Sequence, residues 1–281
     1  MTLHVFNPEH DIALAYDNKY FTAPHAGRQL RHDLDYLPVL WAEEGDFVLV
    51  ENVNSAQQHA LRLQRYGKQV QFVDRNDVER LSEQIDRVLP WGWDSSVKFQ
   101  LEQMGVNGSV LPDDEVLADI RKLSNRQFSS DVLKELQGCL NHPILLGKAF
   151  YVDSLSDLEN ILKDKGKIVI KAPWSSSGRG VRYIDTVLDA ALANWAKNVI
   201  KTQGGIMREP YYNKMKDFGV EFYSDNDGVH YAGLSVFHTV NGAYIGNSLA
   251  DEEEKLSILS TYISNELLIK VISTLEQLLT V

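Results

Sequence analysis

Residues 167–184 constrain this chain more than any other segment, because they predict two strands joined by a loop of small residues. An apolar strand ends at Lys171, and Val181–Ile184 is predicted to run back as the second strand. The loop includes Ser175, Ser176, Ser177, Gly178, Arg179 and Gly180. Serine and glycine let backbone N–H groups approach an anion, and Lys171 adds a positive charge at the base of the loop. We expect a hairpin that covers nucleotide phosphates; the alternative is an ordinary hairpin with a long exposed loop.

Two other phosphate-binding loops do not match this segment. A Walker-type loop ends in Gly-Lys-Ser/Thr and opens a helix, whereas this loop ends in Gly178-Arg179-Gly180 with no lysine after it. A dinucleotide fingerprint needs a third glycine and a following helix, but Tyr183 occupies that position inside a predicted strand. The loop therefore predicts a lid made by a hairpin.

Composition limits the partners of the protein. The 281 residues include 44% hydrophobic and 24% charged residues, with a net charge of −11. Nucleic acid and anionic membranes bind proteins through clustered Lys and Arg side chains, so neither is an expected partner of a chain with this net negative charge. Cys139 is the only cysteine; residues 1–8 lack the basic and apolar regions typical of a signal peptide, and no apolar run approaches roughly 18 residues, so we expect neither a signal peptide nor a membrane span. We expect a cytoplasmic protein and leave a homo-oligomer open.

Hydrophobic patterning predicts an α/β fold in three parts. Residues 1–120 alternate short apolar strands with helices, which predicts an N-terminal domain with a parallel sheet. Residues 121–204 contain helices around the Ser/Gly hairpin, and residues 205–281 are rich in strands before one long helix over Asp251–Leu279. A further helix is predicted over Arg121–Gly138, and Ser55 is predicted to cap another.

From about residue 120 onward the chain resembles the ATP-grasp superfamily, whose members have a lysine-ended strand, a glycine-rich hairpin, a Glu-containing hinge and a ribose-binding acid in this order. The first 120 residues are compatible with the α/β domain that usually precedes these parts. The resemblance implies an ATP-grasp-like pair of α+β subdomains over residues 121–204 and 205–281, the second incomplete. It implies that ATP is bound by the loop residues together with Arg126, Lys171, Glu209, Tyr211, Tyr212 and Asp217.

Each of these residues also has a plain structural interpretation. Lys171 also suits a strand-end lysine whose stem covers apolar surface, and Glu209 also suits a solvent-facing position at the end of a strand. Asp217 also suits a turn, and Arg126 also suits the surface of a helix. Arg126 is also a departure from the family, whose members usually have a lysine at the corresponding position.

The sequence departs from the family where magnesium is bound. The resemblance implies Mg²⁺ held by an acid on one late strand and a Glu-x-Asn on another, and no such pair follows Tyr244. Asp251-Glu252-Glu253-Glu254 is acidic, but an acidic first turn complements a helix dipole. Glu221 and Asn247 remain as isolated candidate ligands. We expect either a truncated chain or one that lacks the metal half of the site.

A second polar cluster, Asn7-Pro8-Glu9-His10-Asp11, follows the first predicted strand, where α/β sheets place their ligands. Asn7, Glu9, His10 and Asp11 are therefore candidate substrate-binding residues. The alternative is a polar loop that caps the following helix.

The resemblance implies an ATP-dependent ligase that makes an acyl phosphate from a small carboxylate, after which an amine or thiol displaces phosphate. The main alternative is a non-catalytic nucleotide-binding module, degenerate or truncated. A third interpretation is a purely structural α/β protein. The sequence does not identify the catalytic residues or the acceptor substrate.

Overall fold

Two units, Met1–Ser124 and Asn125–Val281, make up the chain. The computed structural model describes residues 1–63, 65–165, 167–176, 178–240 and 243–280. The predicted α/β fold class is confirmed, with a parallel sheet in the first unit and antiparallel sheets in the second. The predicted division at residues 120 and 204 stays a prediction.

The first unit alternates strands and helices. In chain order its elements are β1 (Thr2–Val5), α1 (His10–Tyr16), α2 (His25–Leu34), β2 (Phe47–Leu49), α3 (Val53–Ala60), β3 (Gln71–Val73), α4 (Arg75–Leu81), β4 (Arg87–Pro90), α5 (Ser95–Gln103) and α6 (Asp114–Leu123). The four strands form a parallel sheet in the order β3-β2-β1-β4.

Both faces of this parallel sheet are covered by helices. Leu3, Val5 and Phe47 pack on one face against apolar residues of α4 and α5, while Val48 packs on the other face with Ala56 of α3. Strands covered on both faces are continuous apolar runs, which is why the sequence of β2 predicts a buried parallel strand.

Asp46 ties the N-terminal strand to its neighbour. Its buried carboxylate accepts hydrogen bonds from the backbone of Thr2 at 2.9 Å and of Glu43 at 3.2 Å, and lies 3.0 Å from His4 Nε2. Burial raises the pKa of this carboxyl, but the hydrogen bonds from Thr2, His4 and Glu43 outweigh burial and hold the pKa below its usual range.

The second unit contains two antiparallel sheets and five helices among its described residues. Its elements are α7 (Arg126–Leu140), β5 (Phe150–Val152), α8 (Leu155–Lys165), β6 (Ile168–Lys171), β7 (Val181–Ile184), α9 (Ala190–Gln203), β8 (Ile206–Pro210), β9 (Phe218–Asp225), β10 (Gly228–Val240), β11 (Ala243–Asn247), α10 (Glu252–Leu259) and α11 (Asn265–Leu279). The sheet orders are β5-β8-β6-β7 and β11-β10-β9.

Each sheet of this unit packs one face on helices. Ile168 and Ile170 of β6 are buried with apolar residues of α8 and α9, and Leu234 and Val236 of β10 are buried with Leu268 of α11. The opposite face of each sheet is here called its open face. That of the first sheet carries Lys171 and Glu209 beside the buried Val169 and Met207, and it holds the candidate site.

Three predicted helices differ in the structure: two are split by a residue that caps a second helix, and one has a different N-terminal cap. The predicted helix over Arg121–Gly138 is split, since Asn125 caps α7 by accepting from Gln127 N. The predicted helix over Asp251–Leu279 is split into α10 and α11, since Ser264 accepts from Leu267 N. Ser55 does not cap α3: Asn52 does, by accepting from Ser55 N.

None of the described helices combines the length and the apolar character that a membrane crossing requires. The cytoplasmic location stays a prediction.

We predict that Asp46→Ala lowers the free energy of unfolding by about 1–3 kcal/mol at pH 7, because it leaves backbone and imidazole groups without their acceptor. A carboxyl whose pKa is lowered in the folded state stabilises the fold above its unfolded pKa, near 3.9, and this contribution is lost as the pH falls through the folded pKa. The penalty should therefore shrink below about pH 4.

Urea unfolding at pH 7 and at acidic pH measures this difference. Asp119→Ala, in the exposed part of α6, is the matched control and should unfold like the parent chain. A penalty for Asp46→Ala that is equal at both pH values would contradict the assigned pKa direction.

Candidate functional site

Period-two alternation along β6 places Lys171 on the open face of its sheet. Ile168 and Ile170 point into the core, so Val169 and Lys171 face the other way. The register Lys171↔Val181 and Val169↔Tyr183 adds the outward residues of β7 to the same face. Glu209 of β8 joins them because it pairs with Val169.

A half-buried ion pair joins Lys171 to the hinge. Lys171 Nζ donates to Glu209 Oε2 at 2.7 Å, and the two side chains are 27% and 26% exposed. The pair links the loop strand to the predicted hinge across β6 and β8. Two predicted nucleotide-binding residues are thus in direct contact.

The Ser/Gly loop closes on the end of β6. Gly180 O accepts from Ala172 N at 2.8 Å, and Gly178 adopts a positive φ of 71° that favours glycine. Ser176 and Arg179 are exposed and joined by a hydrogen bond from Arg179 N to Ser176 O at 3.1 Å. Ser177, also predicted for this loop, lies outside the described residues.

Arg126 lies beside the loop at the start of α7. Its guanidinium donates to Ala172 O, to Ser175 Oγ at 2.7 Å and to Ser175 O at 2.7 Å. These bonds fix the end of β6 and the first residues of the loop. The contacts show a positioning role for Arg126, and direct binding of phosphate by Arg126 stays a prediction.

Tyr211 and Tyr212, which follow Glu209 in the predicted hinge, occupy different surroundings. Tyr212 faces the cavity described below, whereas the Tyr211 ring lies 6.1 Å from the Tyr183 ring and 4.0 Å from Lys167 Nζ. Asp217 accepts two bonds from Lys214 Nζ at 2.8 and 2.9 Å and one from Thr239 Oγ1 at 3.2 Å. Its carboxylate is therefore already engaged by two neighbours.

A cavity of about 460 Å³ brings these side chains together. That volume is within the range of roughly 300–1,000 Å³ of small-molecule sites. The predicted residues that line it are Lys171, Gly178, Glu209, Tyr212 and Asp217. Arg126, Ser175, Ser176, Arg179, Gly180 and Tyr211 do not line it.

The sequence analysis missed seven of the twelve residues that line the cavity. The missed residues are Val169, Val181, Tyr183, Pro210, Lys214, Phe237 and Thr239. Alternation from Lys171 could have found Val169, Val181 and Tyr183. Phe237 and Thr239 come from β10, and only the pairing of the distant strands reveals them.

The open face of the β9–β11 sheet carries the isolated candidates for metal binding. Gly219 pairs with Ser235 and Phe237 pairs with Asn247, so Glu221, Ser235 and Asn247 share this face with Phe237. Asn247 Nδ2 donates to Ser235 Oγ at 3.1 Å. Among the residues that the structure describes, no group of three or more His, Cys, Asp or Glu side chains could hold a metal ion.

This donor set fits Mg²⁺ only in part. Magnesium is commonly held by one or two carboxylates together with substrate phosphates and water. Glu221 pairs with Gly233 and Asn247 pairs with Phe237, so the two residues lie on opposite sides of β10, about 14 Å apart along the strand and about 10 Å across the sheet. They cannot bind one ion together. An ion held at Glu221 would have to take its remaining ligands from a nucleotide and water.

The acidic run after Tyr244 is not part of this face. Asp251 caps α10 by accepting from Glu254 N at 2.9 Å, and Glu252 accepts from Leu234 N and from the Tyr231 hydroxyl. This agrees with the helix-start interpretation of the sequence.

In the first unit, the polar cluster after β1 meets the residues after β4. Asn7 Nδ2 donates to Gly92 O at 2.8 Å, and Gly92 N donates to Asn7 Oδ1 at 3.3 Å. His10 Nδ1 lies 3.3 Å from Asp94 Oδ2. A Cβ on Gly92 would lie 2.3 Å from the His10 ring, so only glycine permits this approach.

Glu9 is buried beside this network. Arg31 Nη1 donates to Glu9 Oε1 at 3.0 Å and Arg31 Nε donates to Phe6 O at 3.2 Å. Asp11 lies in the first turn of α1 and, within the described part of the chain, makes no hydrogen bond or ion pair. The structure therefore brings Asn7, Glu9 and His10 together with Asp94 and Arg31, which the sequence did not single out.

No family model and no curated protein matches the sequence. Solved structures of similar fold include an N5-carboxyaminoimidazole ribonucleotide synthetase bound to ADP, with 13% identity and a TM-score of 0.48 over 98% of this chain and 62% of that one. The N5-carboxyaminoimidazole synthetase of Staphylococcus aureus bound to ADP has 13% identity and a TM-score of 0.45 over 83% of this chain and 64% of that one.

D-alanyl-alanine synthetase A of Vibrio cholerae has 14% identity and a TM-score of 0.42 over 98% of this chain and 80% of that one. These proteins are ATP-grasp enzymes, the superfamily that the sequence motifs resemble. The chain spans less than two thirds of the length of the two N5-carboxyaminoimidazole synthetases. With identities of 13–14% and TM-scores below 0.5, these likenesses carry no weight for what this chain binds or does.

We predict that Gly180→Ala destabilises the second unit by about 1–3 kcal/mol through overpacking. The new Cβ would lie 2.0 Å from Ser175 Oγ and 3.1 Å from Ala172 Cβ. Ser175 accepts two hydrogen bonds from the Arg126 guanidinium, so it cannot move away from the new methyl group without losing them.

Gly138→Ala is the matched control, because Gly138 lies inside α7 with no atom within 4 Å of an added Cβ. It should leave stability unchanged or raise it by roughly 0.5–1 kcal/mol. Urea unfolding of both variants measures the difference. A Gly180→Ala chain as stable as the Gly138→Ala chain would contradict the contact.

Proposed function

We propose that residues 125–280 bind ATP in the cavity beside the Ser/Gly loop. The observation that carries this proposal is the position of Lys171: it lies at the base of the loop, on the cavity face and half-buried. A lysine there supplies a charge to phosphate oxygens, and the loop supplies backbone groups.

The rest of the cavity suits a nucleoside. Val169, Val181 and Phe237 give apolar surface for a base, and Tyr212 stands at the end of the hinge strand. Asp217 is the acceptor proposed for ribose hydroxyl groups. Its carboxylate is shared with Lys214 and Thr239, so a ribose would enter an existing hydrogen-bond network.

Phosphate binding requires Lys171 to exchange partners. Glu209 holds its ammonium group in the structure, and a polyphosphate would replace a single carboxylate by several negative oxygens. Glu209 is partly exposed, so water can hydrate it once Lys171 moves to phosphate. The ion pair therefore keeps the lysine in place without closing the site.

We further propose that the protein is an ATP-dependent ligase of the ATP-grasp type. In such a reaction a carboxylate oxygen attacks the γ-phosphorus and ADP leaves; an amine or thiol then attacks the acyl carbon and phosphate leaves. Lys171 would offset the charge of the phosphates. Glu221 would be the carboxylate that holds Mg²⁺, and the ion would supply further positive charge to the phosphates.

The second candidate is a nucleotide-binding module without catalysis. The described residues of the open β9–β11 face favour it, because the other carboxylates there, Asp217 and Asp225, are paired with Lys214 and His230, which leaves Glu221. Magnesium-dependent turnover distinguishes the two candidates. Partners other than ATP stay predictions, including any second copy of the chain.

We predict that Lys171→Ala weakens ATP binding by about 1.5–3 kcal/mol, roughly 10-fold to 150-fold, since a charge-assisted contact to phosphate is lost. The change also leaves Glu209 without its cation beside the phosphates. Isothermal titration calorimetry with ATP gives the dissociation constant.

Lys270→Ala is the control, because it removes the same charge from an exposed ion pair with Glu266 on α11. Its affinity should equal that of the parent chain. Equal dissociation constants of the Lys171 and Lys270 variants for ATP would contradict the proposal that Lys171 and the Ser/Gly loop bind its phosphates.

We also predict that this 281-residue chain binds ATP and turns it over poorly. Placing Mg²⁺ for phosphoryl transfer takes carboxylates at fixed positions, and among the described residues Glu221 lies on the opposite edge strand from Asn247, the other candidate ligand. Phosphate release should stay near background across a set of carboxylates and amines with Mg²⁺ present. Strong magnesium-dependent turnover would overturn the prediction and support the ligase over the module.

A further inference from the structure

One oxygen of a buried glutamate in the first unit has no donor. The Glu9 side chain is 9% exposed, and Arg31 binds only its Oε1. Glu9 Oε2 is buried and has no hydrogen-bond partner among the described residues. A buried acceptor without a donor costs about as much as a lost hydrogen bond, so a missing group with an N–H or O–H donor would satisfy it.

Glu9 lines a cavity of about 200 Å³ at the carboxyl ends of β1 and β4. The sheet order β3-β2-β1-β4 changes direction at this point, because the chain leaves β1 towards β2 on one side and β4 lies on the other. Such a switch point is where open parallel sheets place ligands. The cavity is smaller than the roughly 300–1,000 Å³ of drug-sized sites, so its ligand has few atoms.

The charges that line the cavity define what fits. Two carboxylates, Glu9 and Asp94, face two guanidinium groups, Arg28 and Arg31. Asp94 is fully used: Oδ1 accepts from the backbone of Ser96 and Val97, and Oδ2 contacts Asn7 and His10. The balanced lining disfavours a polyphosphate, and it leaves Glu9 Oε2 as the acceptor for a cationic group.

Arg28 provides the opposite charge. It is exposed and lines the cavity, and among the described residues its guanidinium makes one hydrogen bond, from Nη1 to Ala23 O at 2.6 Å. A guanidinium has five N–H donors, so most of those of Arg28 are available for a carboxylate. Arg31 instead positions Glu9 through its bonds to Glu9 and Phe6.

We propose that this cavity binds a small zwitterion of the amino-acid class, with its ammonium group on Glu9 Oε2 and its carboxylate on Arg28. The proposal does not depend on the nucleotide site. If the ligase proposal also holds, the bound molecule is a candidate for the amine or the carboxylate that reacts.

Calorimetric titration of the full chain without ATP tests the proposal, with glycine, L-alanine and D-alanine as probes. Methylamine, acetate and inorganic phosphate are the comparison probes, since each carries at most one of the two charges. At least one amino acid should bind saturably. Methylamine and acetate should each bind at least about tenfold more weakly than that amino acid, because each lacks one of the two charged contacts. Binding of phosphate or acetate as tight as that of the amino acid, or no binding of any amino acid at millimolar concentration, would overturn the proposal.

Variants separate the two contacts. Glu9→Gln keeps the shape of the side chain and should lower the affinity about tenfold or more by removing the charge. Glu51→Gln is the matched control, because Glu51 follows the neighbouring strand β2 and is exposed with His32 as its partner. Its affinity should be unchanged.

If Glu9→Gln unfolds the first unit, Arg28→Gln still tests the proposal. This variant should fold, because Arg28 is exposed and pairs with no buried carboxylate. Circular dichroism confirms folding, and ATP titration of the same sample reports separately on the nucleotide site. A folded Arg28→Gln chain with the parent affinity for the amino acid would overturn the assigned carboxylate contact.

Discussion

The alternation of side chains along β6 is the constraint on which the cavity beside the Ser/Gly loop depends. Ile168 and Ile170 are fully buried, and each is worth about 1.5–3 kcal/mol in the core. A slip of one residue would expose both and bury Lys171, so the core itself fixes the side on which the lysine lies. Arg126 and the Gly180 carbonyl then fix where the strand ends. The face on which the lysine lies is therefore set by residues outside the cavity, and the ion pair with Glu209 then holds its ammonium group in the cavity wall.

The other sheet of the second unit follows the same rule, and the first unit follows a different one. In β10, Leu234 and Val236 pack on helices while Ser235 and Phe237 face outward, so one face is free for polar groups. The parallel sheet has no free face, because helices cover both. Its functional groups must therefore lie at strand ends, where Asn7 and Gly92 bridge the loops after β1 and β4.

The sequence predicted local features well and distant pairings poorly. The hairpin, Lys171 and Glu209 depend on a short motif and its order, and the structure brings them into one cavity. Phe237 and Thr239 depend on the register of β10, which is irregular after His238, and no local pattern reveals it. Asn7 and Glu9 were visible as a polar cluster, but Arg31 and Asp94 lie 22 and 84 residues from their partners in that cluster. The split of the last helix depends on one hydrogen bond to Ser264, which hydrophobic periodicity does not report.

The two candidate sites differ in what a ligand must displace. Lys171 and Asp217 each have a charged partner, so a nucleotide has to compete with Glu209 for the lysine and join Lys214 at the acid. These partners are partly exposed and can be rehydrated, which keeps the cost of the exchange small compared with a fully buried pair. Glu9 is different, because Arg31 occupies only one of its oxygens and the other is buried without a donor. A cationic group that reaches Glu9 Oε2 breaks no existing ion pair, so its contact adds to stability instead of replacing an interaction. On physical grounds the small cavity of the first unit is therefore the better preorganised of the two, although the sequence motifs draw attention to the other.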